Sequence, residues 1–256
     1  MKGIILAGGT GSRLFPLSKV TNKHLLPVGR YPMIYYPIWK LKEAGIYDVF
    51  IVTGKEHAGS IVNLLGSGYD MGMSFTYRIQ DHPGGIAHAL GLAEGFVGKN
   101  KCVVILGDNI FEDNVKKYVR DFEKQKSGAR IFIKQVKDPE RYGVAEISGD
   151  KIISIEEKPV HPKSNYCVTG IYMYDSSVFE IIKSLKPSKR NELEITDVNN
   201  EYIRRGVLMC NKLTGWWTDA GTFDSLLYAN KLVRGINIEL SEELSEKIDC
   251  SAGGVV

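Results

Sequence analysis

At 256 residues the chain is long enough for one large α/β domain or two closely joined ones. Hydrophobic residues make up 43% and charged residues 25%, an ordinary globular balance. The net charge of +3 is too small to argue for a nucleic-acid partner and suits an anionic small molecule, and no apolar run reaches the length of a membrane span.

Ile4, Ile5, Leu6 and Ala7 read as a buried first strand, and Gly8, Gly9 and Gly11 follow within four positions. Such a loop admits positive φ and lets backbone N–H groups turn toward an anion, with Arg13 adding a guanidinium fork that matches phosphate oxygens. Counting from Gly9 and Gly11 puts Leu14 where a dinucleotide fingerprint needs glycine, and no Lys-Ser or Lys-Thr follows as a P-loop requires. The loop alone also fits a plain glycine-rich turn.

Leu6 to Leu14, followed by Lys23-His24-Leu25-Leu26-Pro27-Val28, resembles the signature of the sugar-1-phosphate nucleotidyltransferases, and further motifs of that family recur in order to about Asp224. The resemblance implies that Leu6, Gly8, Gly9, Gly11 and Arg13 bind the nucleotide and that Lys23 contacts the triphosphate. His24 stands where the family pattern has glutamine.

Pro32 to Gly45 reads as a helix, with Pro32 in its first turn, Gly45 at its stop, and Ile34, Ile38 and Leu41 on one face. Asp48 to Thr53 is a strand, 56–65 a helix, and Met73 to Arg78 a strand ending at Gln80. This alternation predicts a parallel core sheet. A Pro83-Gly84-Gly85 turn then opens a short helix and puts Gln80 and the Gly85 backbone on the sheet rim. An amide with a backbone N–H and carbonyl can read a pyrimidine edge. The resemblance assigns Gln80 and Gly85 to the base, with Ile86 and His88 in place of the family's leucine and glutamine.

Lys101 to Leu106 reads as a central strand, and Asp108 lies just past its carboxyl end, where open α/β sheets bind ligands. A carboxylate there can cap a turn or hold Mg²⁺, which takes oxygen ligands. Asp113 to Lys126 is an exposed helix with Val115, Val119 and Phe122 as its buried stripe, and Ala129 to Val136 is a strand. Asp138 to Ala145 and Ser154 to Pro159 flank two short strands. By resemblance Tyr142, Gly143, Glu157, Lys158 and Val168 line a sugar-phosphate half, where Lys158 neutralises phosphate and Glu157 accepts from sugar hydroxyls. By the residues alone the second segment is a charged hairpin tip.

Asn165 to Tyr174 reads as a strand with Gly170 at a close approach, Arg190 is a second candidate for the sugar phosphate, Glu194 to Arg205 is a helix and Gly206 to Leu213 a strand. Trp216 to Thr222 carries Asp219, which resembles the family's second metal aspartate, with Ala220 replacing threonine beside it. A helix from Phe223 to about Arg234 precedes a tail that reads as polar and poorly ordered; longer family members use their extension for oligomer contacts and a regulatory site.

Cys102, Cys167, Cys210 and Cys250 lie far apart without Cys-x-x-Cys, so neither a zinc site nor a disulfide framework is expected, and the first three read as buried thiols. The N-terminus lacks a secretory layout, which predicts a cytoplasmic protein. The expected fold is α/β: a Rossmann-like mixed, mostly parallel sheet flanked by helices, with a sugar-binding subregion. One nucleotidyltransferase domain over 1–256 is expected to divide into a nucleotide part (about 1–130) and a sugar-phosphate part (about 131–235). The resemblance implies Mg²⁺-dependent transfer from dTTP to glucose 1-phosphate, giving dTDP-glucose and pyrophosphate for deoxysugar (dTDP-rhamnose type) synthesis. Arg13, Lys23, Asp108, Lys158 and Asp219 would be catalytic, Asp108 and Asp219 would hold the metal, and the protein would be a homo-oligomer without nucleic-acid or membrane partners. Uridylyl or cytidylyl transfer, or a non-catalytic nucleotide-sugar-binding regulator, are the alternatives.

Overall fold

The computed structural model describes residues 1–149 and 151–238. Its first strand, β1 (Lys2–Ala7), is buried along Ile4 to Ala7. Two-residue strands β2 (Pro27–Val28) and β3 (Tyr31–Pro32) pair with each other, so Pro32 lies in a bridge rather than in a helix turn. The helix that follows is Tyr35–Glu43 and buries Ile38 and Leu41, with Ile34 buried at its cap. Pro37 occupies its first turn, where a missing N–H costs no intrahelical bond.

Strands β4 (Asp48–Gly54), β5 (Ser74–Gln80) and β6 (Cys102–Leu106) join β1 in a parallel block ordered β6-β1-β4-β5. Alternate residues of these strands feed two cores. Ile5, Ala7, Val49, Ile51, Val103 and Ile105 pack on the face that carries Ile34, Ile38 and Leu41. Ile4, Leu6, Phe50, Val52, Cys102 and Val104 pack on the opposite face, against Ala87, Leu90, Ile181, Ile182 and Val198. Burial on both faces is why these strands read as continuous apolar runs.

The sheet then turns mixed. Strand β7 (Asn109–Phe111) leaves it, while β8 (Ala129–Gln135), β9 (Gly143–Ser148), β10 (Lys151–Glu157) and β11 (Tyr166–Tyr174) extend it. β9 and β10 form an antiparallel hairpin, and β11 runs antiparallel to β6, β8 and β9. β12 (Leu208–Lys212) pairs parallel with β8, and β13 (Trp217–Asp219) pairs antiparallel with β7. The result is a mixed, mostly parallel α/β sheet flanked by helices.

Several helices begin later or end earlier than the sequence suggests: Ala58–Leu65, Lys116–Lys124, Ile195–Arg204 and Phe223–Leu232. A further helix, Val178–Ser184, was not expected. Cys102 and Cys167 are buried, but Cys210 is only half-buried. Cys250 and the tail expected to be polar and poorly ordered lie outside the described residues. Among the described residues no helix is long and apolar enough to cross a membrane.

Candidate active site

The carboxyl ends of β1, β5 and β6 open onto a cavity of about 350 Å³. Leu6, Gly8, Gly9, Arg13, Lys23, Gln80, Gly85, Asp108, Tyr142, Gly143, Glu157, Lys158, Val168, Arg190 and Asp219 all line it. Of the residues selected from the sequence only Gly11 does not. It has φ +63 at the entry to a 3₁₀ turn over Ser12–Leu14, and a Cβ there would come 2.9 Å from Ser18 Cβ. The glycine at that position therefore answers a chain bend.

Asp108 and Asp219 are brought together by the β7–β13 ladder. Asp219 stands opposite Asn109, and the Ala220 N–H donates to the Asp108 carbonyl at 2.8 Å. Burial by itself would raise the Asp108 carboxyl. The Lys23 ammonium at 2.5 Å, with a further donation from Asn109 Nδ2, instead holds it far below the usual carboxylate range. Asp219 is pushed up, by burial first and then by the charge of Asp108, against the opposing pull of Arg141 and of the Tyr142 hydroxyl, which donates to Asp219 Oδ1 at 2.9 Å. Arg13 reaches the same region: a Cβ on Gly221 would lie 2.9 Å from its Nη2 and 3.5 Å from Asp108 Oδ2.

His24 also lines the cavity and is 1% exposed. Its Nδ1 lies 2.7 Å from Asn22 Oδ1, an oxygen that can only accept, so the ring proton is on Nδ1. Burial and then the Lys23 charge push its pKa down to about 3. His24 is thus a neutral wedge, packed where a Cβ on Gly107 would come within 2.7 Å.

Asn109 ties the strands around Asp108. Its Oδ1 accepts from the Gly170 N–H at 2.9 Å and from Trp217 Nε1 at 2.8 Å. Gly170 sits where the β11–β8 register shifts, which frees its N–H for that contact. A Cβ at Gly170 would lie 2.6 Å from Asn109 Nδ2. Close approach here therefore requires glycine.

On the opposite wall Thr196 donates to Glu157 Oε2 at 2.7 Å, fixing one carboxylate oxygen. Lys158 Nζ lies 3.9 Å from Glu157 Oε1, and the Lys158 backbone, at φ +45, donates to the Tyr142 carbonyl at 2.9 Å. Arg190 engages the Glu194 carboxylate through Nε at 3.0 Å and Nη2 at 2.9 Å, and Glu192 at 2.8 Å. Its fork is matched to carboxylates of its own loop, an arrangement the sequence did not reveal.

At the carboxyl end of β5, Gln80 Nε2 donates to the Gly85 carbonyl at 3.3 Å. The Gly84 carbonyl accepts from the Leu193 N–H at 2.8 Å, and the Leu193 carbonyl accepts from the Ala87 N–H at 3.1 Å. This exchange docks the Arg190 loop on the glycine turn.

Among the described residues the lining holds five cations (Arg13, Lys23, Arg141, Lys158, Arg190) and five carboxylates (Asp108, Glu157, Glu192, Glu194, Asp219). A lining so balanced needs added positive charge to accept polyphosphate. Asp108 and Asp219, adjacent and mutually repelling, supply hard oxygen ligands of the kind Mg²⁺ takes alongside water and substrate phosphates. No group of three or more His, Cys, Asp or Glu among the described residues could hold a metal alone. Two carboxylates and a phosphate-bearing ligand therefore fit the group better than an all-protein cage does. Sequence reasoning missed Arg141, Glu192, Glu194 and Asn109 as lining residues. Arg141 and Asn109 adjoin selected residues and could have been included; the glutamates belong to the loop that Leu193 docks on the glycine turn.

The chain belongs to the nucleotidyl transferase family, whose model matches residues 2–235. It is similar to the glucose-1-phosphate thymidylyltransferase of Neisseria meningitidis serogroup A, at 45% identity over 92% of this chain and 83% of that relative. The enzyme of the same name from Mycobacterium tuberculosis is 42% identical over 96% of this chain and 88% of its own length. A Bacillus anthracis crystal structure assigned as a glucose-1-phosphate thymidylyltransferase, in complex with sucrose, superposes with a TM-score of 0.90 at 64% identity, covering 93% of this chain and 97% of that one. A UDP-glucose pyrophosphorylase complexed with UDP-glucose superposes at 0.80 with 27% identity, covering 90% and 97%.

Proposed function

We propose that this chain is a glucose-1-phosphate thymidylyltransferase, which joins dTTP to glucose 1-phosphate and releases dTDP-glucose and pyrophosphate. One observation carries the reading: a single cavity is lined by two adjacent carboxylates and by cations from both ends of the chain. The close relatives favour it over uridylyl or cytidylyl transfer and over a non-catalytic regulator.

In this reading a sugar-phosphate oxygen attacks the α-phosphorus in line and pyrophosphate leaves. The attacking phosphate is largely ionised near neutrality, its second pKa being about 6, so no general base is needed. The obstacle is repulsion between two polyanions. Arg13 and Lys23 would bind the triphosphate, with the Gly8–Gly9 backbone beside them. Lys158 would hold the sugar phosphate, with Arg190 as a second cation, and Glu157, its second oxygen fixed by Thr196, would accept from sugar hydroxyls. Asp108 and Asp219 would hold a divalent cation, here Mg²⁺, which when bound neutralises phosphate charge. Gln80 and the Gly85 backbone would take the base. Residues of about 1–130 would thus serve the nucleotide and those of about 131–235 the sugar phosphate. Alignment can supply roughly 7–11 kcal/mol, against about 0.3–1 kcal/mol for a helix terminus beside a surface charge. The clamps should therefore outweigh the loop's dipole. A cytoplasmic homo-oligomer serving dTDP-rhamnose-type synthesis belongs to the same proposal.

The test is pyrophosphate release with glucose 1-phosphate and Mg²⁺, comparing dTTP, UTP, CTP, ATP and GTP. Release with dTTP foremost is expected. Release led by another triphosphate would move the substrate, and none with any sugar 1-phosphate would favour a binding protein.

A further inference from the structure

Behind Gln80, outside the cavity lining, stands His88. Its Nδ1 lies 2.9 Å from Gln80 Nε2, and Nε2 also donates to the Gly85 carbonyl at 3.3 Å. A carbonyl can only accept, so the nitrogen of the amide is the atom that faces Gly85. Its second hydrogen then points at His88 Nδ1, which must accept. That fixes His88 as a neutral ring protonated on Nε2. Both donors of the amide are spent on the protein. Gln80 Oε1 is left, and it faces the loop glycine: a Cβ on Gly8 would be 3.0 Å from it. Gln80 and Gly8 both line the cavity.

We propose that His88 is a positioning residue that locks the Gln80 amide with its oxygen toward the ligand, and so selects bases that present an N–H donor at that edge. Thymine and uracil do so through N3–H. Cytosine presents a bare N3 acceptor to the same oxygen and is repelled. The selection is thus for 4-oxo-pyrimidines as a class, with thymine and uracil separated by other contacts. The inference rests on the proposed placement of the base at Gln80.

The surroundings of the ring keep it an acceptor. The His82 ring lies tilted against it at 4.7 Å between centroids, and Gly84 packs on its other atoms, where a Cβ would come 2.9 Å from His88 Nδ1. Burial and then the neighbouring His82 push its pKa down, which favours the neutral ring. Among the described residues no other contact to Gln80 holds the amide by its second hydrogen.

The experiment compares the full chain with His88→Leu and His88→Gln. Leucine removes the acceptor; glutamine can restore it through its own side-chain oxygen. Steady-state pyrophosphate release is measured with dTTP, UTP and CTP against glucose 1-phosphate. For His88→Leu the KM for dTTP is expected to rise about tenfold and discrimination against CTP to shrink by about the same factor, the size of one hydrogen bond. The kcat at saturating dTTP and the KM for glucose 1-phosphate should stay within about twofold, because neither depends on the amide's orientation. His88→Gln should recover the KM and the discrimination. A His88→Leu enzyme with unchanged KM and unchanged CTP discrimination would overturn the proposal, as would a parallel loss toward all three nucleotides that His88→Gln fails to rescue.

Nitrogen-15 spectra of the histidines in the unliganded wild-type chain, with the His88 signal identified by its loss in His88→Gln, read the contact without any substrate. The neutral Nε2–H form is expected. A ring protonated on Nδ1 would overturn the proposal even if His88→Leu did not fold. If wild-type protein turned over no nucleotide while the Nε2–H form was present, the placement of the base would fail and the lock on Gln80 would stand.

Discussion

At the scale of single residues, the site depends on groups whose charge is set by what surrounds them. Asp108 stays ionised although buried, because the Lys23 ammonium and the Asn109 amide oppose the effect of burial. Replacing it by asparagine removes a carboxylate from the pair with Asp219. Turnover should fall by more than about a hundredfold, since even residues behind a metal's ligands are typically worth roughly 10–100-fold. Mg²⁺ titration of the variant, with circular dichroism to verify the fold, checks this; near-normal turnover would remove the metal assignment. His24 carries the opposite kind of constraint. Its folded pKa of about 3 lies below the ordinary 6.5, so between those values the unfolded chain takes up a proton that the folded chain does not. The His24 contribution to stability then falls as pH drops below 6.5. Between pH 7 and pH 5 Asp108 adds nothing, because its ordinary value of 3.8 and its lowered folded value both lie below that range. Going from pH 7 to pH 5 should cost about 2 kcal/mol through His24. Urea unfolding of wild type and His24→Gln at the two pH values tests this. The variant should lose about 2 kcal/mol less than wild type, and equal losses would refute it.

At the scale of elements, the site is held by two joints that bring distant segments together. One is the β7–β13 ladder, with Asn109 accepting from Gly170 and Trp217. The other is the exchange between Gly84, Ala87 and Leu193. Gly85 lies in that second joint at φ +94, and a Cβ there would come 2.5 Å from the Leu193 carbonyl oxygen. Gly85→Ala should therefore destabilise the fold by about 1–3 kcal/mol, the usual cost of a strained backbone. Because the displaced carbonyl belongs to the Arg190 loop, the KM for glucose 1-phosphate should rise along with that for dTTP. A rise confined to dTTP would show that the joint transmits nothing. These joints also mark where sequence reading ends. The parallel strands were legible because burial on both faces writes itself as apolar runs such as Cys102 to Leu106. The early glycine loop was legible because Gly9 and Gly11 sit at positive φ, at +92 and +63, where other side chains are strained. Helix ends were not: His57, at φ +62, holds the start of the helix back to Ala58, and Pro32 joined a bridge instead of a helix. Glu192 and Glu194 were missed because a contact between residues more than a hundred positions apart leaves no local pattern.

At the scale of the whole molecule, one continuous sheet passes under both walls of the cavity, from β5 at one edge through β6 and β11 to β10. Gln80 closes one end of that path and Glu157 the other. If the nucleotide and sugar-phosphate halves are joined by this sheet, they should unfold together. A ligand that touches both should then stabilise the whole chain more than a ligand that touches one. At a concentration one hundred times its dissociation constant, any ligand of the folded state adds about 2.7 kcal/mol. For a chain of this length that corresponds to a rise in Tm of roughly 5–10 °C. The informative comparison is therefore made at equal concentration, where the linked product benefits from holding both ends at once. With Mg²⁺ present, dTDP-glucose should raise Tm further than dTMP or glucose 1-phosphate does, within a single transition. Calorimetry decides the matter. Two transitions, with dTMP moving one and glucose 1-phosphate the other, would mean that the halves fold independently and that the shared sheet does not couple them. A single transition moved equally by dTMP and by the nucleotide sugar would mean that the Glu157 wall contributes nothing to holding the sugar.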